Sequence, residues 1–482
     1  MDSQTSSSAS PHVLIFPVPM LGHINPMLKL AQLLCLAKLN VTFLNTAYNH
    51  RRLLQYTDVE ARLARFPGFR FEIIPDGLPD DHPRSGERAN EVYRSLELTA
   101  TPILKEILIR LRDDLNSPVT CFIADGMFGY AYDVGEEVGI PVIAFRTISS
   151  CCFWIYFNMP NLIDAEQIPF QDDDLDELVN NIPGMEAFLR YRDLPSFCRV
   201  KDVNDSHFRR VTNATRRTQR ANSLILNTFE ELEGPIVNLI RAHCSSNIYS
   251  IGPLHTQLNY RLGRTESDKI TLNNSLWEVD RSCIKWLDDK PKKSVVYVSF
   301  GSITTISKEQ LMEIWAGLVQ SNKFFLWVMR PNSITGDNPT QAVDPEILEG
   351  TEKRGYMVGW TPQEEVLAHQ AIGGFLTHSG WNSTLESIEA GVPMVCWPYF
   401  ADQQVNSRYV SHVWKIGLDM KDKCHRDIVE NMVNDMMENM KDGLLSSVTE
   451  FSQAVKRSVA EGGTSSCNLD RLIDDIRAMA RK

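Results

Sequence analysis

The chain of 482 residues is 43% hydrophobic and 23% charged, a composition typical of a soluble globular protein. Its length exceeds the usual size of a single core, so two domains are expected. The formal net charge of −12 disfavours proteins that bind nucleic acid or anionic membrane surfaces, because both depend on basic patches.

The amino-terminal segment and the cysteines indicate a cytoplasmic protein. Residues 1–10 lack the basic region and the cleavage site of a secretory signal, so a disordered leader is expected. The apolar stretch 142–157 is interrupted by Arg146 and by polar residues, which argues against a membrane span. The ten cysteines form no CxxC pair and no zinc spacing and are expected to be free thiols. Without a sustained heptad repeat, a monomer is expected.

Short apolar runs alternate with helical patterns along the first half of the chain. "HVLIFPV" predicts a strand, a loop containing Gly and Pro follows it, and "PMLKLAQLLCLAKLN" has helical spacing. This alternation is typical of a doubly wound parallel sheet, whose ligands bind outside the carboxyl ends of the strands. His23 and Asp125 lie just beyond two such ends. Further strands are predicted at residues 41–46, 69–75, 120–126 and 141–147, and within "NSLILNTFEELEG" and "IYSIGPL".

A second alternating series follows a polar stretch that has no apolar period and is predicted to be a linker. Its strands are predicted at residues 294–302, 324–330, 355–360, 373–379 and 393–398, and "CNLDRLIDDIRAMARK" has the period of an amphipathic helix. The expected architecture is therefore α/β, with two doubly wound domains and a cleft between them. The predicted limits are 11–254 for the first domain, 255–275 for the linker, 276–464 for the second domain and 465–482 for the last helix.

The densest group of polar signals lies between Trp360 and Gln403. "GGFLTHS" predicts a buried strand, and "STLESIEA" predicts a helix that ends at Gly391. The start of that helix offers free backbone N–H groups and the positive end of the helix dipole, which together favour a diphosphate. His378, Asn382 and Ser383 lie around this point as further hydrogen-bond donors.

Several of these residues also fit purely structural roles. Ser383 and Glu386 match a capping box, although Glu386 lies one turn into the helix and can instead accept two ribose hydroxyls. Trp360 can stack on a planar base or belong to the core. "SFGS", residues 299–302, ends a strand with a glycine turn where backbone amides can meet phosphate, a weak signal by itself.

Other motifs, present or absent, limit the classes of reaction that the protein can catalyse. The acidic run "QDDDLDE", residues 171–177, fits a metal-binding cluster or a solvated loop, and its distance from any strand end favours the loop. The sequence contains no Walker A lysine motif, GxSxG, HExxH or GxGxxG. The missing GxGxxG counts against a two-domain nicotinamide dehydrogenase, which the strand pattern alone would allow.

His23 and Asp125 form the candidate catalytic pair. A carboxylate on one imidazole nitrogen fixes the tautomer and stabilises the imidazolium, and the other nitrogen is then free to take a proton. A hydrogen-bonded loop histidine is the alternative interpretation of His23.

The run from Trp360 to Gln403 resembles the signature sequence of plant UDP-dependent glycosyltransferases, which transfer sugars to small lipophilic acceptors. "GHINPM", "NTFEELE", "IGPL" and "VVYVSFGS" extend this resemblance over nearly the whole chain. The resemblance implies a GT-B architecture, in which two Rossmann-like domains face each other and the last helix crosses back onto the first domain.

The resemblance also implies a role for each motif residue. Trp360 would stack on uracil with Gln363 nearby, and Glu386 would bind the ribose hydroxyls. The diphosphate would be held by Ser302, His378, Asn382 and Ser383, and the sugar would be contacted by Thr147, Trp381, Asp402 and Gln403. Trp381 and Gln403 are similar to the residues of glucose-using members. UDP-glucose would be a co-substrate, with no metal or other cofactor.

In the same comparison His23 would deprotonate the acceptor oxygen with Asp125 as its partner, and the product would have the inverted, β configuration. The alternatives are the use of UDP-glucuronate or UDP-galactose, and a protein that binds a UDP-sugar or another small molecule without catalysis. The intact residues His23, Asp125, Asp402 and Gln403 argue against a silent binding protein.

The acceptor site is expected around residues 80–95, 145–160 and 185–205, with His82, Arg146 and Phe153 as candidate contacts. Arg146 departs from the family, which commonly has an aromatic residue before the threonine. It can pair with a carboxylate in the cleft, or form a salt bridge with Glu136 or Glu137. "DGLPDDHPR" and "FRTISSCCFW" resemble the subgroup that glucosylates iridoid aglycones such as 7-deoxyloganetic acid.

Overall fold

Two parallel β-sheets, of seven and six strands, form the frame of the protein. They are seen in a computed structural model that describes residues 10–169, 175–244, 246–263, 275–330, 333–335, 344–420 and 423–481. Residues 1–9 of the expected leader, and most of the acidic run 171–177, lie outside the described residues.

The first sheet has the order β3-β2-β1-β4-β5-β6-β7. Its strands are β1 (His12–Phe16), β2 (Asn40–Thr46), β3 (Phe69–Ile74), β4 (Val119–Asp125), β5 (Val142–Arg146), β6 (Ser223–Leu226) and β7 (Asn247–Ser250). The order reverses between β1 and β4, and such a switch point opens a crevice at the carboxyl ends of the two strands. The sheet thus sets a ligand site beside the ends of β1 and β4.

The helices of this half cover both faces of the sheet. They are α1 (Leu21–Leu36), α2 (Ala47–Tyr56), α3 (Val59–Leu63), α4 (Ala89–Arg112), α5 (Gly129–Val138), α6 (Ser150–Phe157), α7 (Met159–Asp164), α8 (Ser206–Thr218), α9 (Glu230–His243) and α10 (Leu254–Arg261). Because both faces are covered, the central strands β1, β4 and β5 are almost continuously apolar and buried, whereas the edge strand β3 is partly exposed.

The second sheet has the order β12-β10-β8-β13-β14-β15, and a short pair of strands, β9 and β11, lies apart from it. The strands are β8 (Val295–Ser299), β9 (Ile306–Ser307), β10 (Phe324–Val328), β11 (Ile334–Thr335), β12 (Gly355–Val358), β13 (Ile372–Thr377), β14 (Met394–Cys396) and β15 (Gly417–Asp419). Their helices are α11 (Ser282–Asp288), α12 (Lys308–Gln320), α13 (Pro345–Arg354), α14 (Gln363–Ala368), α15 (Trp381–Ala390), α16 (Gln403–Arg408), α17 (Arg426–Asn434), α18 (Lys441–Val459) and α19 (Thr464–Met479). The doubly wound α/β class predicted from the sequence is confirmed.

Two local predictions were wrong. The expected linker begins with helix α10, whose Leu254 and Leu258 are buried against the first half; residues 264–274 lie outside the described residues. Three buried polar residues between the leucines hide the apolar period. Helix α1 begins at Leu21, so His23 lies in its first turn and not in a loop.

The last helix, α19, packs on the first sheet, beside β4 and β7. Its apolar residues Leu469, Leu472, Ile473 and Ile476 are buried, and their spacing places them on one face of the helix. The Arg471 guanidinium donates to the carbonyl of Ile248 at 2.7 Å. Within the described parts of the chain, every helix is too short or too polar to cross a bilayer.

We expect Leu472→Ala to lower the free energy of unfolding by about 3 kcal/mol, because it leaves a cavity between α19 and the first sheet. The Leu472 side chain is fully buried. Urea unfolding followed by circular dichroism measures the change. Asp474→Ala, an exposed position on the same helix, is the matched control and should change stability by less than about 0.5 kcal/mol. Equal effects of the two variants would show that α19 is not packed as described.

Candidate active site

The carboxyl ends of the two sheets face one cavity, which both halves of the chain line. The first half contributes the start of α1, the segments that follow β4 and β5, and residues of α4, α6 and α8. The second half contributes the ends of β8, β12 and β13, the starts of α14, α15 and α16, and the loop before α16. The sequence-predicted residues His23, Thr147, Ser302, Trp360, Gln363, His378, Trp381, Asn382, Ser383, Glu386, Asp402 and Gln403 all line this cavity.

His23 and Asp125 are hydrogen-bonded. The distance from Nδ1 of His23 to Oδ2 of Asp125 is 2.6 Å, and the hydroxyl of Thr147 lies 2.9 Å from the same nitrogen. Asp125 is 1% exposed and accepts further hydrogen bonds from the backbone amides of Val18 and Met127. Since a carboxylate accepts the Nδ1 proton, Nε2 of His23 is left as the basic nitrogen.

Helix α15 begins directly at the cavity. Its amino terminus has no side-chain cap, so the capping box that the pattern of Ser383 and Glu386 allowed is not formed. The helix starts at Trp381, three residues earlier than that motif requires, and the Ser383 hydroxyl instead accepts a hydrogen bond from Gln363 at 2.9 Å. The first-turn amides and the positive end of the helix dipole therefore remain available to an anion.

His378 stands beside this helix start as a neutral donor. Burial lowers the pKa of His378 to about 4, so the ring is uncharged at neutral pH. A Cβ added at Gly301 or Gly380 would lie 2.4 or 2.5 Å from its Nε2, so both glycines are needed for the ring to occupy this place. Gly301 also has a φ of +76°, a backbone conformation that favours glycine.

Gln363 and Glu386 form a polar group on the wall of the cavity. The Gln363 amide donates to Oε2 of Glu386 at 2.7 Å, and its oxygen accepts from the Tyr297 hydroxyl at 3.2 Å. Burial, and then the neighbouring Glu364 carboxylate, raise the pKa of Glu386 to about 7. Glu386 therefore changes its charge in the physiological pH range.

Trp360 lies at the end of β12, with its ring 4.8 Å from that of Trp277 and tilted by 33°. It is partly buried and also lines the cavity, so a planar group has access to it. The sequence patterns did not indicate Trp277, which follows the polar stretch without any periodic signal.

The side chains of Trp381 and Asn382 form hydrogen bonds between the two halves. The Trp381 indole is 3% exposed, and its Nε1 donates to the carbonyl of Asn227 at 2.8 Å, where a sugar contact was predicted. The Asn382 amide donates to the carbonyl of Gly22 at 2.9 Å. That carbonyl lacks its helical partner because Pro26, four residues further along α1, has no N–H.

Asp402 and Gln403 lie together before and at the start of α16. Burial raises the pKa of Asp402 to about 6, while the Asn406 amide donates to its Oδ2 at 2.8 Å. The side-chain oxygen of Gln403 accepts from the backbone amides of Tyr399 and Phe400. This leaves the Gln403 amide N–H groups to meet a polar ligand.

The cavity also has an apolar part. Its walls are made by Met20, Ala89, Tyr93, Met127, Ile148, Tyr156, Phe197, Val211, Ile303 and Phe400. Most of these lie in the three expected acceptor segments or next to His23. Met127 was missed although it follows Asp125 by two residues, and Val211 was missed because the amphipathic pattern of α8 resembles an ordinary surface helix.

Arg146, Phe153 and His82 are not among the residues that line the cavity. Arg146 is 2% exposed, its guanidinium donates to the Gly126 carbonyl at 2.8 Å, and it lies 5.0 Å from the Phe153 ring centre. His82 is buried at 3.3 Å from Glu91.

Both interpretations of Arg146 were therefore wrong. The proposed partners of a salt bridge, Glu136 and Glu137, instead pair with Arg220 and Lys105. The Arg146 side chain packs against Gly126, just after β4, because this glycine has no side chain. A Cβ at Gly126 would lie 2.2 Å from Cδ of Arg146.

Among the described residues, no three His, Cys, Asp or Glu side chains are grouped as metal ligands. Of the acidic run, Asp176 forms ion pairs with Arg190 and Arg192.

The chain is similar to a family of known enzymes. The family model described as "UDP-glucoronosyl and UDP-glucosyl transferase" matches residues 280–449. A 7-deoxyloganetic acid glucosyltransferase of Catharanthus roseus is 52% identical, over 99% of this chain and 100% of that protein. An (R)-mandelonitrile beta-glucosyltransferase of Prunus dulcis is 40% identical, over 98% of this chain and 99% of that protein.

Solved structures resemble the whole chain as well. The structure of Os79 from O. sativa in complex with UDP has a TM-score of 0.80 and 29% identity, covering 96% of this chain and 100% of that one. Medicago truncatula UGT71G1 complexed with UDP-glucose has a TM-score of 0.78 and 27% identity, covering 97% and 98%.

We expect Glu386→Gln to become more stable than the wild type as the pH rises from 5 to 8, by about 2 kcal/mol in the free energy of unfolding. The pKa of Glu386 is raised from 4.5 to about 7 in the folded protein. Its contribution to stability is thus complete below pH 4.5 and is lost as the pH rises through 7, whereas glutamine does not titrate. Urea unfolding at both pH values measures the difference.

The exposed residue Glu352 on α13 provides the control, because Glu352→Gln should differ from the wild type equally at both pH values. A Glu386→Gln difference that did not depend on pH would mean that Glu386 titrates as an ordinary exposed carboxylate.

Proposed function

Since this chain belongs to the family of UDP-glucuronosyl and UDP-glucosyl transferases, with the GT-B fold, we propose that it is an inverting O-glucosyltransferase. It would transfer glucose from UDP-glucose to an oxygen of a small lipophilic plant metabolite and release a β-glucoside and UDP. The observation that carries this proposal is the pair of His23 and Asp125, which faces the same cavity as the uncapped start of α15.

The reaction uses one base and one anion site. Nε2 of His23 takes the proton of the acceptor hydroxyl, and Asp125 stabilises the imidazolium that results. The acceptor oxygen forms its bond to the anomeric carbon from the face opposite UDP, while the bond from that carbon to the diphosphate oxygen breaks. The electron pair leaves with UDP, and the proton passes from His23 to solvent.

The leaving diphosphate gains negative charge in the transition state. The first-turn amides of α15, the neutral ring of His378 and the Ser302 hydroxyl are placed to stabilise it. These groups are neutral donors. They allow a protein with a net charge of −12 to bind an anion without a basic patch. We propose that this arrangement serves in place of a metal ion.

The nucleotide and the sugar would occupy the two sides of the α15 start. Trp360 would stack on uracil, and Gln363 and Glu386 would bind the ribose. Asp402 and Gln403 would bind the glucose hydroxyls, with Thr147 near the sugar on the side of the base. Trp381 and Asn382 would contribute backbone amides, since their side chains are used between the halves.

A hydroxyl is the favoured nucleophile. A carboxylate acceptor is already ionised at neutral pH and needs no base, whereas the arrangement of His23 and Asp125 serves to remove a proton. The described residues that line the cavity also include no Lys or Arg to hold a carboxylate there. The apolar walls and the similarity to a 7-deoxyloganetic acid glucosyltransferase support an iridoid or another terpenoid alcohol as the acceptor.

We further propose that the enzyme is a cytoplasmic monomer. The ten cysteines, which are all unpaired in the structure, support a reducing compartment. Light scattering of the purified protein tests the oligomeric state.

We expect His23→Ala to lower kcat about 1000-fold with alcohol acceptors, because general-base catalysis is lost. The measurement is turnover of UDP-glucose, UDP-galactose and UDP-glucuronate with a panel of terpenoid and phenolic alcohols and carboxylic acids. Asp125→Asn should show the same loss with a smaller magnitude, since the imidazole keeps its place without charge stabilisation. With carboxylic acids, His23→Ala should cost less.

His12, a buried histidine at the other end of β1, supplies the control variant His12→Ala, which is expected to leave the ratio of alcohol to acid turnover unchanged. Full activity of His23→Ala with alcohols would exclude His23 as the base. Tight binding of UDP-glucose without turnover of any acceptor would favour the binding-protein alternative.

We expect Trp360→Ala to weaken UDP binding about 10- to 100-fold, the usual effect of removing an aromatic ring that stacks on a base. Titration calorimetry with UDP measures it. Trp286→Ala removes a tryptophan that stacks on Tyr356 outside the cavity and should bind UDP normally. Normal affinity of Trp360→Ala would place the base elsewhere.

A further inference from the structure

A partly buried ion pair joins the two halves of the protein beside the cavity. Lys29 on α1 is 7% exposed, and its Nζ donates a hydrogen bond to Oε1 of Glu364 on α14. Helix α1 packs in the core of the first half, whereas α14 packs against β13 and α15 of the second. Glu364 lines the cavity, yet none of the roles proposed above uses it or Lys29.

The ion pair is directly connected to the polar group proposed to bind ribose. Glu364 follows Gln363 in the chain, and the Gln363 amide donates to Glu386 at 2.7 Å and to Ser383 at 2.9 Å. A displacement of the first turn of α14 would therefore move the donor that orients the Glu386 carboxylate. The ion pair of Lys29 and Glu364 links this turn to α1.

Charge gives Lys29 a second effect on the same site. The charged groups facing Glu386 are Glu364 from α14, Glu389 from its own helix and Lys29 from α1. The two carboxylates favour protonation of Glu386, and Lys29 opposes them. Only the ionised carboxylate accepts hydrogen bonds from two hydroxyls with full strength.

We infer that Lys29 is a positioning residue for the nucleotide ribose: by neutralising Glu364 and holding the start of α14, it keeps Gln363 and Glu386 arranged to accept the ribose hydroxyls. This inference rests on the proposed function, in which the UDP moiety occupies this wall. Lys29 itself acts through Glu364 and contacts neither the sugar nor the acceptor.

The test compares UDP with 2′-deoxy-UDP by titration calorimetry at pH 7.5. In the wild type we expect loss of the 2′-hydroxyl to weaken binding about 10-fold, as for a hydrogen bond to a charged group. In Lys29→Met we expect UDP itself to bind about 10-fold more weakly, and the ratio of the two dissociation constants to fall below about 3. In turnover, KM for UDP-glucose should rise by a similar factor, while kcat and the acceptor KM change less than about 2-fold.

Three further variants separate this role from simple packing. Lys29→Arg should keep the wild-type ratio, because the charge is retained. In the double variant with Lys29→Met and Glu364→Gln, most of the ratio should return, since the Glu364 charge that favours protonation of Glu386 is removed together with Lys29. Lys105→Met breaks an ion pair of the same kind with Glu137 on the exposed surface and should leave both affinities unchanged.

A Lys29→Met variant that keeps the wild-type ratio, or that weakens both nucleotides equally, would overturn the inference. So would a double variant no better than the single one. If Lys29→Met does not fold, Lys29→Gln with and without Glu364→Gln supplies the same comparison. Failure of the wild type to bind either nucleotide would instead refute the proposed function, on which the inference rests.

Discussion

The hydrogen bond from the Asn382 amide to the Gly22 carbonyl fixes the geometry on which the proposed chemistry depends. Pro26 lacks an N–H, so the Gly22 carbonyl has no donor within α1, and the second half of the chain provides one at 2.9 Å. Gly22 precedes His23, and Asn382 lies in the first turn of α15. This bond thus links the residue next to the candidate base directly to the anion site, although these groups are carried by different sheets.

The fold followed from the sequence because the strands are covered by helices on both faces. Such strands are continuous apolar runs, and the runs at β1, β4, β8 and β13 are prominent in the sequence. The start of α1 did not follow, since Pro26 hides the first turn from any pattern that treats proline as a boundary. Helix α10 did not follow either, because its buried face includes His255, Thr256 and Gln257.

The residues of the cavity were predictable because they follow strand ends, where a parallel sheet gathers its ligands. The direction of each side chain was not predictable. Trp381 lies at the expected place, yet its indole N–H is drawn to the Asn227 carbonyl of the other half. Arg146 lies one residue before Thr147, yet it turns beneath the sheet because Gly126 leaves space. Both outcomes depend on contacts between segments far apart in the chain, which a local pattern does not contain.

The side chains that cross between the halves limit how far the cleft can open. The indole N–H groups of Trp381 and Trp414, both buried, donate to carbonyls of the first half at 2.8 and 3.2 Å. Swinging the halves apart would exchange both hydrogen bonds for hydrogen bonds to water, at a net cost of about 0.5–1.5 kcal/mol each, and would expose the two apolar rings. A wide hinge motion is therefore opposed at every turnover. Substrates are instead expected to enter, and products to leave, through the mouth of the cavity. The residues at its rim would then control the rates of binding and release more than a hinge motion does.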